Sequence, residues 1–151
     1  MTVDDLNDKS TETTDELLAQ ALPKLTAEQV AEVSPKLVRR AYEPGEVIIN
    51  QGDAPDRFYI VIGGEAEVWH EGLSGQSDEI DLRKPGEYFG EVGLLQDRPR
   101  SATVRAPEDG RVEVLAMDRE DFLELMHDSK ATEMNVAQEM IQRLISLAGA
   151  Q

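Results

Sequence analysis

Residues 42–69 read YEPGEVIINQGDAPDRFYIVIGGEAEVW, and this stretch decides the fold. Three short β-branched or aromatic runs, Val47–Ile49, Phe58–Ile62 and Ala66–Trp69, are set off by turn signals at Pro44-Gly45, Gly52-Asp53 and Gly63-Gly64. Runs of that length and composition between such punctuation are strands joined by tight connections. Glu65 and Glu67 alternate with Ala66 and Val68, which predicts a strand with one wet face. Further strands are expected at Ile80–Leu82, Ala102–Arg105 and Arg111–Met117, with a turn over Gly72–Ser77 and a hairpin turn at Asp109-Gly110. Strands at this spacing argue a small antiparallel β-sandwich or jelly-roll barrel over residues 41–117.

Outside that region the period is helical, so the fold class is α+β: a barrel with N-terminal helices and two C-terminal helices. Residues 1–14 are polar and read as a disordered lead. Helices are expected within 15–40: Leu17, Leu18, Ala21 and Leu22 form one stripe, closed by Pro23, and Thr26 with Gln29 reads as a capping box for TAEQVAEV. Pro35 should start a third short turn carrying Leu37 and Val38. Over 118–148 Asp118 is the expected N-cap of a helix presenting Phe122, Leu123 and Met126. A break at His127–Ser129 precedes a longer helix with a wide apolar stripe from Met134 to Ala148. Docking against the barrel explains such a stripe; covering a ligand or pairing with a second copy would use it further.

Composition narrows the chemistry. With 31 Asp and Glu against 15 Lys and Arg, the net charge of −16 is spread along all 151 residues. Nucleic acid and anionic lipid are poor partners for that surface, since both are held by clustered cations. A phosphate-bearing ligand would need a local, well-shaped site to overcome the field. The chain has no cysteine, which excludes disulfides, thiolate metal sites and a cysteine nucleophile. No apolar run approaches ~18 residues, so no helix should span a membrane, and MTVDDLNDKSTETTDE lacks the features of a signal peptide. A cytoplasmic location is the expectation.

One segment, GEYFGEVGLLQDRPRSATVRA over Gly86–Ala106, carries most of the chemical content. Gly90 and Gly93 flank Glu91 and Val92, letting backbone approach a ligand closely. Arg100 follows Glu91 by nine residues, with small Ser101 and Ala102 after it. A guanidinium matches two phosphate oxygens with parallel N–H donors, while a carboxylate accepts from sugar hydroxyls and helps orient the arginine. The pattern suits one small molecule bearing a phosphate and a sugar.

The run F-G-E-x-G-L-L followed by P-R-S-A-T-V resembles the phosphate-binding cassette of the cyclic nucleotide-binding domain family, and the 42–69 segment is similar to that family's opening strands. The likeness covers residues 17–147. It implies Arg100 on the cyclic phosphate and Glu91 on the ribose 2′-OH. It further implies Gly90, Val92 and Gly93 lining sugar and phosphate, and Ser101-Ala102 donating to the remaining phosphate oxygen. Arg98 reads as a solvated neighbour. Ser101 after the arginine leans toward cAMP, although its hydroxyl could reach a guanine amino group, so cGMP stays open. A base cap from the last helix would be Arg143, Leu144 or Leu147.

The resemblance implies a sensor rather than an enzyme, with no cofactor, no metal and an unidentified protein partner or effector domain. His70 and His127 stand apart and belong to no metal-spaced or triad-like set; His70 reads as a strand-end surface residue. With four residues after Leu147, no DNA-reading helix-turn-helix is expected if the 151 residues are the full chain. A regulatory domain cut from a larger channel, kinase or transcription regulator, or a nucleotide-blind scaffold, are the alternatives. The His127–Ser129 break is the expected hinge of a ligand-driven switch.

Overall fold

The computed structural model of the protein describes residues 12–149. Thr13 accepts from the Glu16 N–H and Glu16 accepts from the Thr13 N–H, a capping box that opens α1 (Thr14–Ala21). Thr26 and Gln29 do the same for α2 (Ala27–Val33), as their spacing predicts. The lead expected over 1–14 lies outside the described residues as far as residue 11; Thr13 and Thr14 belong to the cap and first turn of α1.

The helical segment expected over 15–40 ends earlier than that. Pro35 lies in a single 3-10 turn, Ser34–Lys36, and Val38 opens strand β1 (Val38–Tyr42). The sequence VRRAY hides this strand because it is an edge, paired only with a neighbour on one side and largely exposed. Two arginines there discourage further pairing, so no alternation marks it.

The remaining strands are β2 (Val47–Ile49), β3 (Arg57–Gly63), β4 (Ala66–Glu71), β5 (Ser77–Arg83), β6 (Tyr88–Phe89), β7 (Thr103–Arg105) and β8 (Val112–Asp118). Among the described residues they form two antiparallel four-stranded sheets, ordered β1-β8-β3-β6 and β2-β7-β4-β5. This is the jelly-roll sandwich the strand spacing predicts. The Asp109-Gly110 turn, however, is not a hairpin: β7 pairs with β2 and β4 while β8 pairs with β1 and β3. The chain crosses between sheets there, because each inner apolar face must be covered by the opposite sheet.

The central strands of the first sheet, β3 and β8, are buried on both faces, which is why Phe58–Ile62 is continuously apolar. Phe58, Ile60, Leu115 and Met117 face the helices and join Leu18, Leu22 and Phe122. Tyr59, Val61, Val112 and Val114 face inward against Ala66, Val68 and Val104 of the second sheet. At the β3–β4 turn, Gly64 has φ +73°, and a Cβ there would sit 2.1 Å from the Arg111 carbonyl oxygen. Only glycine lets that turn pass under the crossover.

A short helix α3 (Glu91–Gln96) follows β6, and α4 (Arg119–Asp128) and α5 (Lys130–Gly149) end the chain. Asp118 occupies the N-cap position of α4 without a side-chain cap bond, and its carboxylate lies 3.5 Å from Arg57 Nε instead. The helix break narrows to Ser129, whose buried Oγ donates to Thr132 Oγ1 at 2.7 Å. On α5, Val136 is fully buried, whereas Met134, Ile141, Leu144 and Ile145 are 50–65% exposed. Among the described residues no helix is long and apolar enough to cross a membrane.

Candidate ligand-binding site

Gly90 joins β6 to α3 with φ +92°, a conformation closed to most side chains. A Cβ at this position would lie 2.9 Å from the Arg57 carbonyl oxygen and 3.2 Å from Arg100 Nη1. The absent side chain is what lets Arg100 reach the inner end of β3. Arg100 is 5% exposed, and its guanidinium donates from Nη1 to the Gly90 carbonyl at 2.8 Å and from Nη2 to the Arg57 carbonyl at 2.7 Å. Its one carboxylate partner, Asp56, sits 3.3 Å from Nη2 and is itself two-thirds exposed. The backbone around it is clamped to the loop after β2: Gly52 N–H donates to the Arg100 carbonyl, and Arg100 N–H to that of Asp53, both at 2.8 Å. Of five N–H donors, Nε–H and one on Nη1 have no protein partner among the described residues. A buried guanidinium resting mainly on neutral carbonyls keeps most of its charge for an anion.

Glu91, 2% exposed, turns the other way. It accepts from Arg143 Nη1 of α5 at 2.7 Å, so the sequence-level idea that it orients Arg100 is corrected. The reason is geometric: Arg100 threads beneath Gly90, whereas the first turn of α3 points Glu91 toward the last helix. Burial pushes the Glu91 carboxyl above its ordinary pKa, against the opposing pull of Arg143, its own N–H and Arg83.

Arg143 is the centre of a small network. It donates to Glu139 one turn earlier at 3.2 Å, and its guanidinium carbon lies 4.9 Å from the centroid of the Tyr88 ring. The Tyr88 hydroxyl donates to the other oxygen of Glu139. Burial, that hydrogen bond and the nearby charges of Glu139 and Glu91 hold the Tyr88 phenol far above its usual range. Of the three base-cap candidates, Arg143 is therefore at the site but engaged with Glu91; Leu144 is half exposed, and the Leu147 side chain lies outside the described ones.

All seven residues singled out in the sequence, Gly90, Glu91, Val92, Gly93, Arg100, Ser101 and Ala102, line one cavity of about 80 Å³ inside the barrel mouth. Arg98 is exposed, as expected. Sequence reasoning missed four contributors: Asp56 beneath Arg100, Tyr88 and Glu139 around Arg143, and Arg83 on the cavity wall. Only Arg83 had a local signal, an arginine two residues from an aspartate in a strand, and alternation by itself does not say which face such a pair takes. Among the described residues no group of three or more His, Cys, Asp or Glu could hold a metal ion.

Residues 39–129 match the family model described as "Cyclic nucleotide-binding domain". The "Cyclic AMP receptor protein" of Thermus thermophilus is 39% identical over 106 residues, covering 70% of this chain and 48% of that protein. A "cAMP-dependent protein kinase regulatory subunit" of Yarrowia lipolytica is 46% identical over 82 residues, 54% of this chain and 21% of that one. Among solved structures, the regulatory domain of Toxoplasma gondii PKA with cAMP aligns at a TM-score of 0.75 and 28% identity, over 89% of this chain and 51% of that chain. The chain thus spans a fifth to a half of the length of these relatives. With its two four-stranded sheets, a glycine-hinged cassette that buries an arginine and a glutamate, and a family match across most of its length, the chain belongs to the cyclic nucleotide-binding domain family.

Proposed function

We propose that the chain is a cyclic nucleotide sensor module that takes cAMP in preference to cGMP and relays occupancy through its last helix. One observation carries this reading: Arg100 and Glu91, oppositely charged and buried in one cavity, are paired with different partners, Asp56 and Arg143, and not with each other. A structural ion pair would have consumed both. Kept apart, the guanidinium meets a cyclic phosphate and the carboxylate meets a ribose 2′-OH. The backbone at Gly90, Val92 and Gly93 lines sugar and phosphate, and Ser101-Ala102 supply the remaining N–H donors. Ser101 after Arg100, and the cAMP named for the relatives, favour adenine.

The switch follows from Arg143. The carboxylate assigned to the ribose is the one that holds α5 through Arg143. A ribose hydroxyl arriving at Glu91 changes what Arg143 must pair with, and the shift is bounded by the ligand's differential affinity for the two states. The Ser129 break is the hinge. Such a module senses and does not catalyse, and its acidic surface disfavours direct contact with nucleic acid; its output goes to a protein partner or an attached effector in the cytoplasm.

Calorimetry with cAMP and cGMP tests the ligand. Arg100→Ala should weaken binding by at least about 30-fold, some 2 kcal/mol, while leaving the fold intact. Near-wild-type affinity in the folded variant would sink the site assignment. No thermal shift with either nucleotide at millimolar concentration would favour a nucleotide-blind scaffold.

A further inference from the structure

The backbone of Arg100 hangs on an exposed loop. Its carbonyl accepts from the Gly52 N–H and its own N–H donates to the Asp53 carbonyl, both at 2.8 Å, yet Gly52 and Asp53 are themselves exposed. Open space borders the loop twice. Asn50, Gln51 and Gly52 line a surface cavity of about 440 Å³, and Asn50 and Asp53 line another of about 140 Å³. Packing therefore does little to hold residues 50–53, and backbone bonds open to water fray easily. Within the loop, the Asp53 N–H reaches the Asn50 carbonyl only at 3.2 Å.

Gln51 supplies what packing does not. Its side chain bonds Glu71 at both ends: Oε1 accepts from the Glu71 N–H and Nε2 donates to the Glu71 carbonyl, each at 2.9 Å. The β4–β7 ladder ends where Trp69 stands opposite Thr103, so β7 offers Glu71 no partner. The Gln51 amide takes that place, matching a peptide group donor for acceptor; an ionised glutamate could only accept there. The Gln51 N–H in turn donates to Thr103 Oγ1 at 3.0 Å. Residues 50–53 are thus stitched to the ends of two strands by one side chain and one amide. Thr103 stands three residues after Arg100, so the cassette holds the loop that holds its arginine.

We infer that Gln51, anchored by Thr103, is a positioning residue for the phosphate: it fixes the loop that clamps the Arg100 backbone and so sets where the guanidinium meets the anion. It touches no ligand itself. A binding group works only when held within a fraction of an ångström of its productive place, and partners one step behind it do that holding. Arg100 needs such support because its side chain rests mainly on two carbonyls, leaving its backbone to fix the stem. The inference rests on the cyclic nucleotide reading above.

The test is a double-mutant cycle on the full chain, read by calorimetry with cAMP. Gln51→Met keeps the length of the side chain and removes its amide. It should bind cAMP about fivefold more weakly than the wild type, within the range of couplings inside one hydrogen-bond network. Added to Arg100→Ala, the same change should cost less than about twofold, because no guanidinium remains to misplace. A loss of equal factor in both backgrounds overturns the inference, since Gln51 would then support only the fold. Unchanged affinity in Gln51→Met overturns it too. Thr103→Val removes the hydroxyl that anchors the Gln51 N–H and should show the same dependence on Arg100; it decides the matter if Gln51→Met does not fold. A wild type that binds cAMP without this coupling leaves the sensor reading intact. A wild type that binds no cAMP overturns that reading and this inference together.

Discussion

Arg143 of the last helix donates to Glu91 of the cassette at 2.7 Å, across a sequence separation of 52 residues. Both groups are largely removed from water, Glu91 almost entirely. The pair ties the segment that ends the described chain to the wall of the cavity, and it is the only ion pair among the described residues that links α5 to the cassette.

Arg143→Ala should therefore loosen α5 more than it disturbs the barrel. Leaving Glu91 buried without its cation costs about 3 kcal/mol, the low end for breaking a buried pair. Hydrogen exchange should accelerate in residues 130–146 and stay near wild type in β3 and β8. Uniform acceleration throughout would show that the pair supports the whole fold and is no local latch.

The Glu91 carboxyl has its pKa raised by burial, so between its unfolded value and the higher folded one the native state holds more protons than the unfolded chain. Its contribution to stability is thus full below the unfolded pKa, ~4.3, and is lost as pH rises through the folded pKa. Glu91→Gln should flatten that limb of the pH–stability curve in chemical denaturation. Ligand affinity should run the opposite way, weakening as pH falls and the carboxylate that accepts the ribose hydroxyl becomes protonated. A cAMP affinity that does not weaken as the pH is lowered to the ordinary carboxylate range would contradict that role.

Gly90→Ala and Gly64→Ala separate site from scaffold. At Gly64 the methyl would meet the Arg111 carbonyl at 2.1 Å, so loss of at least ~2 kcal/mol of stability is expected from the left-handed backbone and the clash together. At Gly90 the nearest atoms are the Arg57 carbonyl and the Arg100 guanidinium, at 2.9 and 3.2 Å. That variant should lose cAMP affinity beyond what its own melting temperature accounts for. Matched losses of stability and affinity in both variants would erase the distinction.

Tyr88→Phe removes the hydroxyl that holds Glu139 and keeps the ring beneath Arg143. A hydrogen bond to a charged group contributes about 1.5–3 kcal/mol, so a melting-temperature drop of several degrees is expected. Glu139 should then be freer, and exchange in α5 faster. No change in α5 protection would place the stabilising role of Tyr88 in the core alone.

Much of this molecule could be read in its residues. The capping box at Thr26, the runs at Phe58–Ile62 and Ala66–Trp69, and the cassette with Glu91 and Arg100 are local patterns, each complete within a few residues of chain. What escaped reading depended on neighbours distant in sequence. Edge strand β1 carries no alternation because its surroundings are mostly solvent, and Asp109-Gly110 has the residues of a hairpin turn but joins strands of different sheets. The partners of the two site charges, Asp56 and Arg143, lie 44 and 52 residues away from them.

By itself, then, the sequence determined the sandwich, its flanking helices, the family, and the identity of the two buried charges that define the cavity. Periodicity, turn chemistry and motif spacing are short-range properties, and the chain displays them without folding. Only the tertiary structure decided that Glu91 faces Arg143 and not Arg100, and that Arg83, its side chain only 12% exposed, lines the same cavity. Both outcomes hang on register. The register shift in the β4–β5 ladder, where Ile80 is the extra residue between the Val68–Asp81 and Trp69–Glu79 pairs, sets which β5 side chain reaches the cavity, and the docking of α5 over β6 sets which cation reaches Glu91. Each is fixed by packing between segments that the order of residues does not bring together.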